Sequence, residues 1–273
     1  MENSRKCLIV GLPEAGKSTY IGAFWAIEKD GNTGHKLTCT EYPSDTTYLD
    51  ALKKSWLEQT KVKRSVNIEP QEIHLKLQSS SSGSSLKLHI PDFKGEVFQN
   101  ILANNAMDNV NQWCDEADCV MFFIRLIDDD ILQDELPHTS DNNSEQSEIF
   151  VSESAKMRIE DISEWTQNIM LLKYLLQTRI GNNKPIAICI SAWDKIHTPI
   201  DSWIKKNHLF LYNFIRHNFT KVKFYGISAQ GLEYRDDKLE QYQQLTEQKK
   251  RAYIFTDNVS YDITEPFDFL ITQ

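Results

Sequence analysis

No stretch of this chain approaches the about 20 consecutive apolar residues that a membrane-crossing helix needs. The opening residues MENSRK carry no signal-peptide pattern, so a cytoplasmic location without membrane contact is expected. The five cysteines (7, 39, 114, 119 and 189) have no C-x-x-C spacing, which argues against a zinc site or a disulfide framework. Cys7, Cys119 and Cys189 lie in strand-like runs and are expected to be buried thiols. A basic surplus is also missing. Asp and Glu number 39 against 30 Lys and Arg, a net charge of −9. Nine of those acidic residues fall between Leu126 and Ala155, where there is no Lys or Arg. The remainder of the chain is balanced, so a broad nucleic-acid face is not expected. The short run Lys61-Val62-Lys63-Arg64 reads as a solvated loop.

What is present is an ordinary globular composition, 40% hydrophobic and 11% aromatic over 273 residues. Strand and helix patterns alternate. Strands are expected over Lys6–Val10, Glu72–Leu77, Leu86–Ile90, Cys119–Leu126, Pro185–Ser191 and Lys221–Ser228. Helices are expected over Ser18–Glu28, Ser44–Gln59, Gly95–Cys114, Ala155–Ile180 and Ile200–His217. The Ser-rich link between Gln78 and Leu86 suits a hairpin, while the later strands are the continuous apolar runs of a parallel sheet covered on both faces. Residues 127–155 read as an acidic insertion. Residues 1–231 form the expected main domain, and 232–273 a helical extension on it that closes with the amphipathic segment Glu265–Ile271.

The stretch CLIVGLPEAGKSTYIGAFW (7–25) contains Gly11-x-x-x-x-Gly16-Lys17-Ser18, the spacing of a phosphate-binding loop. Backbone N–H groups of such a turn (Glu14, Ala15, Gly16 and on to Ser18 and Thr19) form an anion-binding concavity, and the following helix points its N-terminus at the same charge. Lys17 is placed to reach the β- and γ-phosphates, and the Ser18 hydroxyl to ligate Mg²⁺. Asp92-Phe93-Lys94-Gly95 follows an alternating strand and fits D-x-x-G, with Asp92 for Mg²⁺ and the Gly95 N–H for the γ-phosphate. Glu96 follows as a candidate to orient water, or equally as an acidic residue favourable at a helix start.

Two later strands end in polar motifs. Ser191-Ala192-Trp193-Asp194 stands where guanine readers carry [NT]-K-x-D. Asp194 can accept from guanine N1–H and N2–H₂, whereas Ala192 has no stem to pack over a base. Ser228-Ala229-Gln230 is similar to the S-A-K loop whose backbone N–H meets the guanine oxygen. Between the first helix and the second expected strand lie some 40 residues. They hold a helical face of Leu49, Leu52 and Trp56, a basic run in which Arg64 is a candidate internal arginine finger, and Ser65 as candidate Mg²⁺ ligand, with Thr60, Thr38 and Thr40 as rivals.

The motif order implies α/β architecture: a Ras-like P-loop GTPase domain with a mostly parallel six-stranded sheet, one antiparallel edge hairpin and helices on both faces. The loop G-L-P-x-x-G-K-S-T-Y, the helix start Y-I-G-A-F-W, the P-D-F-K-G-E segment and the closing E-P-F-D-F-L resemble bacterial TRAFAC-clade GTPases, of the double-GTPase type associated with antiphage conflict systems. That resemblance implies a GTP/GDP switch acting with protein partners, such as an effector or a second GTPase. The residues alone also admit a nucleotide-binding interaction module with little turnover, or an ATP-using enzyme, although no Arg-rich lid is evident for a kinase.

Overall fold

The computed structural model describes residues 4–29, 34–59, 72–91, 101–102, 108–126, 162–196, 198–231 and 251–273. Strand β1 (Ser4–Gly11) runs into the Gly-rich turn and then helix α1 (Lys17–Lys29). Next come β2 (Leu37–Glu41), α2 (Thr47–Leu57), β3 (Glu72–Ser79) and β4 (Ser85–Pro91). Helix α3 (Asp108–Glu116), strand β5 (Cys119–Arg125), helix α4 (Glu164–Gln177) and strand β6 (Ile186–Ser191) follow. The chain continues through α5 (Ile200–Asn207), α6 (Leu209–Asn218) and β7 (Val222–Ser228). It closes with β8 (Tyr253–Phe255), β9 (Val259–Ser260) and α7 (Glu265–Thr272).

The expected six-stranded, mostly parallel sheet is corrected to a mixed sheet of nine strands, in the order β2-β3-β4-β1-β5-β6-β7-β8-β9. Its centre, β4-β1-β5-β6-β7, is parallel. Both borders are antiparallel, because β2 and β3 continue one side and β8 and β9 the other. Described residues 251–273 of the expected helical extension therefore contribute two strands as well as a helix. The amides of Lys36, Leu37 and Cys39, along β2, donate to the side chains of Asp262, Thr264 and Glu28.

Strand alternation splits the interior into two cores. Cys7 and Ile9 of β1, with Cys119, Met121 and Phe123 of β5, pack against α1, α2 and α7. Leu8 and Val10, with Val120, Phe122 and Ile124, pack on the opposite face with α3 to α6. Helix α1 is buried without interruption from Tyr20 to Ile27, as expected of a helix covered all round. The sheet lies on one side of it and Leu49, Leu52 and Trp56 of α2 on another. Trp25 Nε1 donates to Asp50 Oδ1 at 2.8 Å and joins the two helices. All five cysteines are free and buried, and burial raises the thiols of Cys7 and Cys189 well above their ordinary value.

The single helix expected over Ile200–His217 is two helices broken at His208, whose backbone leaves helical geometry at φ −136°. Its imidazole stacks on Trp165 at 3.4 Å between ring centres and lies 5.2 Å from Trp203. The insertion 127–155 lies outside the described residues. No helix among the described residues is long and apolar enough to cross a membrane.

Candidate functional site

Parallel register brings the C-terminal ends of the central strands to one border of the sheet, where open α/β sheets place their ligands. Gly11 is level with Phe123, Phe123 with Cys189, and Cys189 with Tyr225. The phosphate-loop turn, Arg125, Ser191 and Ser228 therefore emerge side by side.

The turn between β1 and α1 has two left-handed residues. Glu14 is left-handed at φ 59° and Gly16 at φ 88°. Ala15 is buried, Glu14 is exposed, and Ser18 and Thr19 are half-buried in the first turn of α1. Lys17 Nζ donates to the carbonyl oxygens of Gly11 at 2.6 Å and Leu12 at 2.7 Å. Lys17 as a residue is only half-buried, but its ammonium lies under the loop, and burial pushes its pKa down to about 7. Among the described residues this buried amine meets only neutral carbonyls, a setting in which an anion would favour its charged form.

The two motifs expected to read a base, Ser191–Asp194 and Ser228–Gln230, lie beside this turn. A β-carbon on Gly16 would lie 2.7 Å from Ser191 Cβ, so the end of β6 rests on the phosphate loop. Ala192 takes the left-handed conformation (φ 58°, ψ 34°), which turns the chain out of the strand into a 3₁₀ turn over Trp193–Lys195. That turn sends Trp193 inward, where its indole lies against Gly226 so closely that a side chain there would collide with it. It leaves Asp194 half-buried beside β7, where Ser228 Oγ donates to Asp194 Oδ1 at 3.1 Å. Tyr253, opposite Ser228 in the β7–β8 ladder, has its phenol pKa raised by burial first and the Asp194 carboxylate second.

Several neighbours of the site were not expected from the sequence. Arg125 pairs with Glu14 at 3.1 Å and with Glu164 at 2.9 Å, joining the phosphate loop to the end of β5 and the start of α4. Trp56 Nε1 donates to the Ala229 carbonyl at 2.7 Å, and Arg251 sits over the Trp56 ring at 4.2 Å.

The expected metal and catalytic residues divide. Asp92, Gly95 and Glu96 come after the end of β4, and Thr60, Arg64 and Ser65 after α2; all six lie outside the described residues. The rivals Thr38 and Thr40 are on β2. Thr38 is level with Gln78, Ser85 and Ser4 through successive ladders, seven residues below Gly11 and so roughly 23 Å along the strand. Thr40 lies only a little nearer, and its hydroxyl donates to the Lys76 carbonyl. Neither reaches the phosphate loop. Among the described residues no three His, Cys, Asp or Glu cluster as a metal site. Ser18 would hold Mg²⁺ together with phosphate oxygens and the residues expected at Asp92 and Ser65.

A search of the curated proteins finds no match to this sequence. Among solved structures the chain is similar to the GTPase-like domain of S. cerevisiae Ski7 bound to GTP, at 15% identity and a TM-score of 0.42, over 84% of this chain and 44% of that one. It is also similar to sup35 complexed with GDP, at 11% identity and a TM-score of 0.37, over 85% of this chain and 39% of that one. The chain thus spans less than half the length of these two proteins. The family model Double-GTPase 1 matches residues 8–270, from within β1 to within α7, and the chain belongs to the Double-GTPase 1 family.

Proposed function

We propose that this chain binds GTP with Mg²⁺ and hydrolyses it slowly, as a regulatory switch read by a protein partner. One observation carries the reading: Gly16 and Ser191 are in van der Waals contact while Asp194 is joined to Ser228. The phosphate-binding turn and both guanine-reading motifs therefore share one border of the sheet. Lys17 supplies the positive charge beneath the phosphates, and Asp194 accepts from the guanine edge. Bound Mg²⁺ supplies charge neutralisation at the β- and γ-phosphates. Glu96 orients the attacking water and Arg64 adds charge at the γ-phosphate in this reading; GTP and GDP differ in how they hold the segments that carry these two residues. The resemblance to antiphage double-GTPases extends the proposal to a bacterial cytoplasmic defence system with an effector or second GTPase as partner. The acidic insertion 127–155 is the candidate docking segment for a basic surface of that partner.

The test measures binding and turnover of GTP and ATP, with and without Mg²⁺, by the wild type and Lys17→Ala. Mg²⁺-dependent GTP turnover that Lys17→Ala abolishes in a folded protein supports the proposal. GTP binding without turnover identifies an interaction module instead, and preference for ATP overturns the guanine assignment.

A further inference from the structure

We infer that Trp56 and Arg251 are positioning residues for the base-reading loop, so that guanine selectivity is set from α2 and the C-terminal segment. The inference rests on the guanine-binding reading above.

Three of the four residues from Ser228 to Gly231 are held by something outside the loop. Ser228 is fixed by the β8 ladder and by its bond to Asp194. Trp56, 173 positions earlier in the sequence, donates its indole N–H to the Ala229 carbonyl at 2.7 Å. Gly231, at φ 78°, lies against the Arg251 backbone, where a β-carbon would meet the carbonyl oxygen at 2.7 Å. Arg251 closes the circuit: its Nη2 donates to the Trp56 carbonyl at 2.9 Å, and its guanidinium lies 4.2 Å from the Trp56 ring centre. Trp56 and Arg251 are both buried, at 3% exposure each, so these contacts are shielded from water and stronger for it.

The consequence concerns one amide. The Ala229 carbonyl belongs to the peptide plane after Ala229, and the Ser228 contacts hold the chain before it. The Ala229 N–H, assigned to the guanine 6-oxo group, is thereby fixed from both flanks. That rigidity matters here because Ala192 offers no stem to lie over the base, so discrimination rests on hydrogen-bond geometry. Gln230, next in the loop, is buried, and neither its Nε2 nor its Oε1 meets a partner among the described residues. A buried amide in that condition is costly, and a bound base beside it would relieve the cost.

The experiment compares the affinity of the full chain for GTP and for 2-aminopurine riboside triphosphate, which lacks the 6-oxo group and, with it, the N1–H. Trp56→Phe keeps an aromatic ring under Arg251 and removes the donor together with part of the indole's bulk, which is why the analogue arm is read beside GTP. The expected result is a wild type that prefers GTP, and a variant whose GTP affinity falls about fivefold while its affinity for the analogue changes less than roughly twofold, the scale of one hydrogen bond. Equal weakening of both nucleotides, or unchanged GTP affinity, overturns the positioning role. A wild type that does not distinguish the two nucleotides overturns the guanine reading and the clamp with it. Selectivity that stays intact in the variant sinks the clamp alone. If Trp56→Phe does not fold, Arg251→Lys, which keeps the charge and loses the planar contact, is read by the same outcomes.

Discussion

Ser191 packs against Gly16 so closely that the two residues cannot both carry side chains in their present places. The contact joins the end of β6 to the Gly-rich turn, so the segments proposed to read the base and to bind phosphate adjoin one another. Gly16→Ala meets two penalties, the collision with Ser191 and the left-handed backbone at φ 88°. A loss of about 2–3 kcal/mol in chemical denaturation is expected. Adding Ser191→Gly removes the collision and leaves the backbone cost, so about 1 kcal/mol should return. No recovery in the double variant would show that the contact is not the cause.

If Lys17 holds the phosphates as proposed, nucleotide binding is proton-linked. Burial lowers its folded pKa to about 7 from an ordinary 10.5, so between those values the unfolded chain holds more protons than the folded one. Stability of the nucleotide-free protein should therefore rise with pH through that window and be insensitive to this group below it. Phosphates favour the ammonium form, and binding at about pH 8.5 should take up a proton. Calorimetry in two buffers of different ionisation enthalpy reads that uptake directly. Binding heats that do not depend on the buffer would remove Lys17 from the phosphate contact.

The Ser228–Asp194 bond holds the carboxylate that is proposed to read the guanine edge. Asp194→Asn should weaken GTP binding by about 1–3 kcal/mol, the cost of an unmatched buried polar group. It should also admit xanthosine triphosphate, whose additional carbonyl suits the new amide. Competition binding with both nucleotides decides the matter, and equal GTP affinity in variant and wild type would point to another reader.

Ala192 pays for the turn that buries Trp193. A left-handed alanine costs roughly 1–2 kcal/mol, part of which glycine regains after its greater freedom when unfolded is deducted. Ala192→Gly should accordingly raise stability by about 0.5 kcal/mol in denaturant titration while leaving the preference for GTP over ATP as it is. A loss of stability would mean that the Ala192 methyl makes contacts worth more than the strain.

The Gly-rich turn between β1 and α1, the buried parallel strands and the amphipathic face of α2 were legible because each depends on residues near one another in sequence. Gly16, Lys17 and Ser18 carry their meaning in their spacing, and Leu49, Leu52 and Trp56 in their period. Strand β2 was missed because LTCTE alternates only weakly and stands at a border with little apolar surface to bury. Strands β8 and β9, of three and two residues, are too short to show a period. The break at His208 has no proline or glycine to announce it; it comes with the stacking of the imidazole on Trp165 and its tilted contact with Trp203, both tertiary. Around the site, Trp56 read as core, and nothing local connects it with Ala229 or Arg251. Long-range hydrogen bonds of that kind leave no mark on neighbouring residues.

Strand β2 stands at one border of the sheet. A row of open amides at the end of a sheet is a template on which another copy can add its own strand. Here Asp262 and Thr264 of the C-terminal segment, with Glu28 of α1, take the donors of Lys36, Leu37 and Cys39. The last dozen residues thus act as a guard against self-association as well as a packing element. Loss of the segment after Ser260 would bare the Lys36 and Leu37 donors and the apolar face beneath α7, while Glu28 would still hold Cys39; light scattering that grows with protein concentration is the expected sign of it.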